Sequence, residues 1–168
     1  MPRSNSSRSV PALLLMACSQ RKTIGLARGP AWDLYDGQLF RILKNLFRQL
    51  PMSKSGLRIL IVSARHGIVR PGQVIETYDE RITREMSAER RARWAKQLRR
   101  EVFGRRFRAV HVNLGRDYLR ALPNLCEVLP DTAIDWASGG IGVRNSQTRR
   151  WVLRHLSGGS ARSVSHRS

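Results

Sequence analysis

The stretch 57–71, "LRILIVSARHGIVRP", decides how the rest of the chain is read. Leu57, Ile59, Leu60, Ile61 and Val62 form a nearly continuous apolar, β-rich run, the pattern of a strand buried on both faces. The run stops at Ser63, Ala64, Arg65, His66 and Gly67, a group richer in polar chemistry than a simple turn requires. Similar runs occur at 12–18 ("ALLLMAC"), 107–114 ("FRAVHVNL") and 132–137 ("TAIDWA").

Helical patterns lie between the strands. Leu39, Ile42, Leu43, Leu46 and Leu50 repeat at helical spacing and predict a helix over 36–50. A second is expected over 87–103, a third opens on Gly115 in "GRDYLRAL", and a last follows the loop "SGGIGVR". The segment 64–83 is expected to be a long loop. Strand–helix alternation predicts one domain over 11–156, a three-layer α/β/α sandwich with a central, mainly parallel four-stranded sheet. The small polar segments 1–10 and 157–168 are expected to be disordered tails.

In an open α/β sheet, ligands bind beyond the carboxyl ends of the strands. Those ends read "CSQRK" (18–22), "SARHG" (63–67), "NLGRDY" (113–118) and "SGGIGVR" (138–144), and they are expected to converge on one cavity.

Charge suggests the partner. The 168 residues carry 31 Lys and Arg against 12 Asp and Glu, a net +19. A polyanion relieves that self-repulsion, and nucleic acid gives strong, salt-sensitive binding by counterion release. Between Arg84 and Arg108 stand ten basic residues and three glutamates, so this segment is the expected phosphate-tracking surface. No apolar run approaches the ~20 residues of a spanning helix, and no membrane partner is expected. Two cysteines, Cys18 and Cys126, supply neither a disulfide framework nor four ligands for structural zinc or an iron–sulfur cluster. A cytoplasmic monomer without cofactor or metal is expected.

"MACSQRK…AWDLYDGQLFRIL", "ILIVSARHGIVRPGQVIETYDERI" and "VHVNLGRDYLRAL" together resemble small bacterial and phage domains related to the uracil-DNA-glycosylase-like superfamily. The order of parts is also similar to the smaller bacterial and archaeal uracil-DNA glycosylases. There an aromatic-x-Gly segment opens a helix, as Tyr35-Asp36-Gly37 does here, and a strand ends in Leu-Gly-Arg, as at Leu114-Gly115-Arg116. The chain departs from those enzymes in two ways. The loop "WASGGIGVR" has no histidine, and the four cluster-binding cysteines are missing. The resemblance therefore implies excision of a modified base, such as a glucosylated hydroxymethylcytosine of phage DNA in antiviral defence, more than excision of uracil. It also admits handling of deazaguanine in tRNA.

A DNA N-glycosylase flips the base into a pocket, stabilises the cationic sugar with a carboxylate, and supports the departing base with donors. Carboxylates are scarce here. Asp79, which follows Tyr78, is the first catalytic candidate and Asp33 the second, with His66 as a donor to the leaving base. Cys18, Ser19, Arg21 and Lys22 are expected to face base or phosphate, with Tyr35 and Tyr78 stacking on the base. Gly37, Ser63, Asn113, Gly115, Arg116, Ser138 and Arg144 complete the expected binding set. His111 shares a strand face with Asn113 and reads as a satisfied core histidine. Two other readings remain: a metal-dependent nuclease using Asp33, Asp36, Glu76 and Asp79, and a nucleic-acid-binding module without catalysis.

Overall fold

A computed structural model describes residues 10–156. The expected tails, Val10 apart, lie outside the described residues.

Five strands form the main sheet, in the order β4-β3-β1-β6-β7. β1 (Ala12–Ala17) lies between β3 (Leu57–Ser63) and β6 (Val110–Asn113), parallel to both, and β7 (Ile134–Trp136) is parallel to β6. These four are the expected parallel strands. The fifth corrects the expected count: β4 (Gly67–Val69) turns straight back from β3 and pairs with it antiparallel. A separate two-stranded ribbon joins β2 (Arg28–Pro30) to β5 (Val74–Glu76). The segment 64–83 is therefore partly strand. Its short strands escape notice because three residues give too little periodicity to read.

Alternation along each strand separates two cores. Leu14, Met16, Ile59 and Ile61 pack with Ala31 and Leu34 of α1 (Ala31–Leu34), Leu39, Phe40 and Leu43 of α2 (Gln38–Leu46), and Trp151 of α6 (Ile141–His155). Leu13, Leu15, Leu60 and Val62 belong to a second cluster with Trp94, Leu98 and Val102 of α3 (Arg84–Val102). Ala121 of α4 (Arg116–Ala121) and Leu125 of α5 (Leu125–Val128) complete that cluster. Both faces of β1 and β3 are buried, which is why their sequences read as apolar throughout.

The helices begin and end where local chemistry dictates. Thr83 caps α3 by accepting from the Met86 amide at 3.3 Å. α2 runs only to Leu46, shorter than the expected 36–50, and Phe47 follows as its C-cap. α2 and α6 start on Gly37 and Gly140, with no side chain capping their first amides.

The chemistry at 63–67 now has a structural account. Ser63 Oγ accepts the His66 amide at 3.0 Å, and Gly67 takes φ +76° to start β4. Gln97 braces the turn, accepting from the Ile68 amide at 3.1 Å and donating to the His66 carbonyl at 3.2 Å. A Cβ at position 67 would lie 2.0 Å from Gln97 Oε1, so glycine is required there. "SARHG" is chiefly a braced hairpin.

Candidate functional site

β1 leads to β3 on one side, while β6 lies on the other, so the strand order reverses beside β1. A crevice forms at such a reversal. Here it is a cleft of about 250 Å³ lined by Cys18, Ser19, Gln38, Phe40, Asn113, Arg144 and their neighbours. That volume sits just under the ~300 Å³ lower end of small-molecule sites and suits a single ring system.

The α2 wall is fixed by one close approach. Ser19 Oγ accepts the Gly37 amide at 3.1 Å, and a Cβ on Gly37 would lie 2.5 Å from Ser19 Cβ. The first turn of α2, Gln38 to Phe40, therefore faces the cleft with its amides uncapped by any side chain.

The floor is a directed chain of polar groups. His111 is buried and meets Asp135 at 3.2 Å through Nδ1 and Thr148 Oγ1 at 3.0 Å through Nε2. Burial lowers its pKa against the opposing pull of Asp135. A neutral ring donates from Nδ1–H to Asp135 and accepts the Thr148 hydroxyl hydrogen at Nε2. The alternative acceptor for that hydrogen is the Arg144 carbonyl, 2.9 Å away. In either arrangement Thr148 Oγ1 accepts from Asn113 Nδ2, at 2.9 Å. Asn113 Nδ2 also donates to Asn145 Oδ1 at 3.3 Å, and Asn145 Nδ2 passes on to Gln38 Oε1 at 3.3 Å. The direction of Asn113 is thus set: no described group donates to its Oδ1, and the residue, only 5% exposed, lines the cleft.

Charge in the cleft is one-sided. Arg21 is already paired with Asp36 at 3.2 Å, which Arg41 also holds at 2.6 Å. These arginines, with the Arg41 hydrogen bond leading, keep the Asp36 carboxyl below its usual range. Arg144 donates from Nη1 to the Leu114 carbonyl at 2.9 Å, and its buried Nε has no partner among the described residues. Among the described residues, no carboxylate lines the cleft.

Behind Cys18 lies a hydroxyl cluster that gathers all three tyrosines of the chain. Tyr78 gives its single hydrogen to Cys18 Sγ at 3.4 Å. Tyr35 at 2.9 Å and Ser63 at 2.8 Å must then donate to Tyr78. Tyr118 meets the same sulfur at 3.1 Å. Burial, followed by the neighbouring Cys18 charge, pushes the Tyr35 phenol up to about 12 and raises Tyr78 and Tyr118 as well. All three stay protonated at neutral pH.

The expected residues divide accordingly. Cys18, Ser19, Arg21, Gly37, Asn113, Gly115 and Arg144 line the cleft. Neither Asp79, Asp33 nor His66 does, so the three expected catalytic residues are not brought to this cleft. Asp79 and Asp33 are exposed, because α1 turns Asp33 outward while burying Ala31 and Leu34. His66 sits in the β3–β4 turn, with Nε2 on the Glu76 carbonyl of β5 at 3.1 Å and its ring edge-on to Tyr78. Tyr35 and Tyr78 are buried in the hydroxyl cluster with Ser63, so they offer no face for base stacking. Arg116 and Ser138 are exposed outside the cleft, the Ser138 amide donating to Gln147 at 2.9 Å. Of the four loop ends expected to converge, "CSQRK", "NLGRDY" and "SGGIGVR" do, the last through Ile141 and Arg144 and not Ser138, whereas "SARHG" with His66 supplies no lining residue.

Sequence reasoning missed Gln38, Asn145, Thr148 and Tyr118. A signal existed for two of them: Asn145 and Thr148 are polar residues at i, i+3 on the α6 face that also buries Trp151 and Val152. Among the described residues, no three His, Cys, Asp or Glu side chains come together as a potential metal site, so Asp33, Asp36, Glu76 and Asp79 form no ligand set. No described helix is long and apolar enough to cross a membrane.

Fold and cleft define an α/β protein with a mainly parallel sheet and a crevice at the reversal of strand order. Residues 13–150 match DUF6884, a family of unknown function, and the chain belongs to it. No curated protein and no solved structure matches the chain.

Proposed function

We propose that the protein is a DNA N-glycosylase that draws a modified base into the cleft and releases it, leaving an abasic site. One observation carries this reading: a cleft the size of one base presents a fixed acceptor, Asn113 Oδ1, beside a guanidinium that no carboxylate neutralises. Asparagine amides read base edges, and a base leaving with the electrons of the glycosidic bond is an anion. Arg144 and the uncapped start of α2 suit that anion. Layering of helices on the sheet, and the resemblance to the uracil-DNA-glycosylase-like superfamily, support the same reading.

The absence of a carboxylate from the cleft lining moves the catalytic load. In place of Asp79 and Asp33, Arg144 stabilises the departing base and Asn113 reads it. The nucleic-acid footprint moves too. Glu101 pairs with Arg58 near the start of β3, so the last turn of α3 lies by the end of the sheet opposite the cleft. Its Arg99 and Arg100 can track phosphates only at a distance from the cleft. The nearer cations are Arg21, Lys22, Arg65, Arg116 and Arg144, in or beside the loops that leave β1, β3 and β6 and at the start of α6.

The test incubates purified protein with duplex and single-stranded DNAs carrying different modified bases and detects released base by mass spectrometry. Base release without a strand break until alkali is added is expected, with Arg144→Gln reducing the rate by about two orders of magnitude. The carboxylate-free cleft also favours a second reading, a non-catalytic nucleic-acid reader. Binding that weakens in Arg144→Gln, with no base released from any DNA, would establish that reading instead.

A further inference from the structure

The loop after β1 has a cavity on each side. Beyond the base cleft lies a second, of about 290 Å³, and Cys18, Ser19 and Gln20 line both. The thin partition between them is the first turn of chain after the strand. Lys22, Glu80, Arg81, Ile82 and Tyr118 complete the lining of the second cavity.

Its charge is not balanced from within. Glu80, the one carboxylate in the lining, is held by Arg90. Arg81 is exposed and has no ion pair among the described residues. Lys22 is half-buried: Nζ donates to the Gln20 carbonyl at 3.1 Å and lies 4.4 Å from the Tyr78 ring centre and 5.6 Å from that of Tyr35. No described carboxylate oxygen comes within ion-pair distance of it. Exposed Asp79 acts on it only as a weak field, behind the Cys18 charge, and burial outweighs both in lowering its pKa. An ammonium has three hydrogens to give, and one is accounted for. Two cations around a cavity, one of them desolvated on aromatic faces, suit an oxyanion.

We propose that this second cavity binds the backbone phosphodiester of the nucleotide whose base occupies the cleft. Lys22 and Arg81 hold the phosphate, and the Cys18–Gln20 turn separates it from the base. The inference rests on the base-in-cleft reading and adds the unit of recognition: a nucleotide within a strand, held on both sides of one loop. The two chambers explain why base and phosphate contacts fall on successive residues of "CSQRK".

Cys18 supplies a direct readout, because it lines both cavities. In a Cys126→Ser background, its reaction with a thiol reagent such as 5,5′-dithiobis(2-nitrobenzoate) is followed in the presence of four classes of probe. These are deoxynucleosides, their 5′- and 3′-monophosphates, a trinucleotide, and inorganic phosphate. A monophosphate should protect Cys18 at a concentration about tenfold lower than its nucleoside, and the trinucleotide should protect better still. Lys22→Gln with Arg81→Gln should erase the advantage of the phosphate while leaving nucleoside protection intact, and Lys22→Arg should retain it. An unchanged phosphate advantage in the double variant would overturn the assignment of the cations. Equal protection by nucleoside and monophosphate would overturn the phosphate site. A trinucleotide no better than a mononucleotide would overturn the strand-borne phosphate in favour of a free nucleotide. Base release from DNA tests the base reading separately, so an active enzyme with no phosphate effect would sink this inference alone.

Discussion

Thr148→Val isolates the polar chain beneath the cleft with almost no change in shape. The hydroxyl is fully buried and serves three groups: it accepts from Asn113 Nδ2 at 2.9 Å, meets His111 Nε2 at 3.0 Å and lies 2.9 Å from the Arg144 carbonyl. Valine fills the same space and serves none of them. The Arg144 carbonyl also has the helical backbone as a partner, so it loses little. Asn113 keeps only its longer contact to Asn145, at 3.3 Å, and His111 loses its one partner on the Nε2 side. Each buried polar group left unpaired costs about 1–3 kcal/mol, so the two together cost roughly 2–6 kcal/mol, toward the lower end because Asn113 keeps one partner. Thr148→Ser is the matched control. It keeps the hydroxyl and removes one buried methyl, a cost of about 1 kcal/mol. Urea denaturation followed by circular dichroism measures both. The Val variant should unfold at a denaturant concentration about 1 M below that of the Ser variant, given slopes of ~1–3 kcal/mol per molar urea. Equal midpoints, or a more stable Val variant, would refute the hydrogen-bond accounting and with it the fixed direction of the Asn113 amide.

Further outcomes follow from other parts of the molecule. Gly37→Ala places a Cβ 2.5 Å from Ser19 Cβ, so the β1 loop and the start of α2 must part; ligand binding in the cleft should weaken about tenfold or more, with the unfolding midpoint changed less, as measured by titration calorimetry and urea denaturation. Burial depresses the His111 pKa in the folded protein, so the unfolded chain takes up the extra proton. Stability should therefore be fully present above the unfolded value of about 6.5 and decline as pH falls from there through the folded value. His111→Gln should flatten that part of a pH–stability curve, and an unchanged slope would show that another group titrates there. Binding to single-stranded DNA should weaken steeply with salt, and removing one rim cation, as in Arg65→Gln, should reduce the slope of log K against log salt by about 0.7, measured by fluorescence anisotropy.

The sequence alone determined the four parallel strands and the strand ends beside which the cleft opens. Runs such as 12–17 and 57–63 are apolar on both faces, and only a covered, mainly parallel sheet buries both. The small and polar residues that follow them mark the carboxyl ends where crevices form. It also placed Cys18, Ser19, Asn113 and Arg144 at those ends, because each stands within or just past its strand end or, for Arg144, in the first turn of the helix that follows β7.

Tertiary structure decided which of those ends meet. Cys18 touches Tyr118 across 100 residues, and Asn145 reaches Gln38 across 107. No local pattern encodes such pairings, since they depend on how helices seat on the sheet. The same holds for what does not meet. Asp33, Asp79 and His66 had suitable chemistry for a catalytic centre, but helix phase turned one outward, loop exposure left another in solvent, and a three-residue strand pulled the third into a hairpin. Hydrophobic periodicity reports which face of an element is buried. The partner buried against it is fixed only when the layers pack, and the cleft is made by that packing.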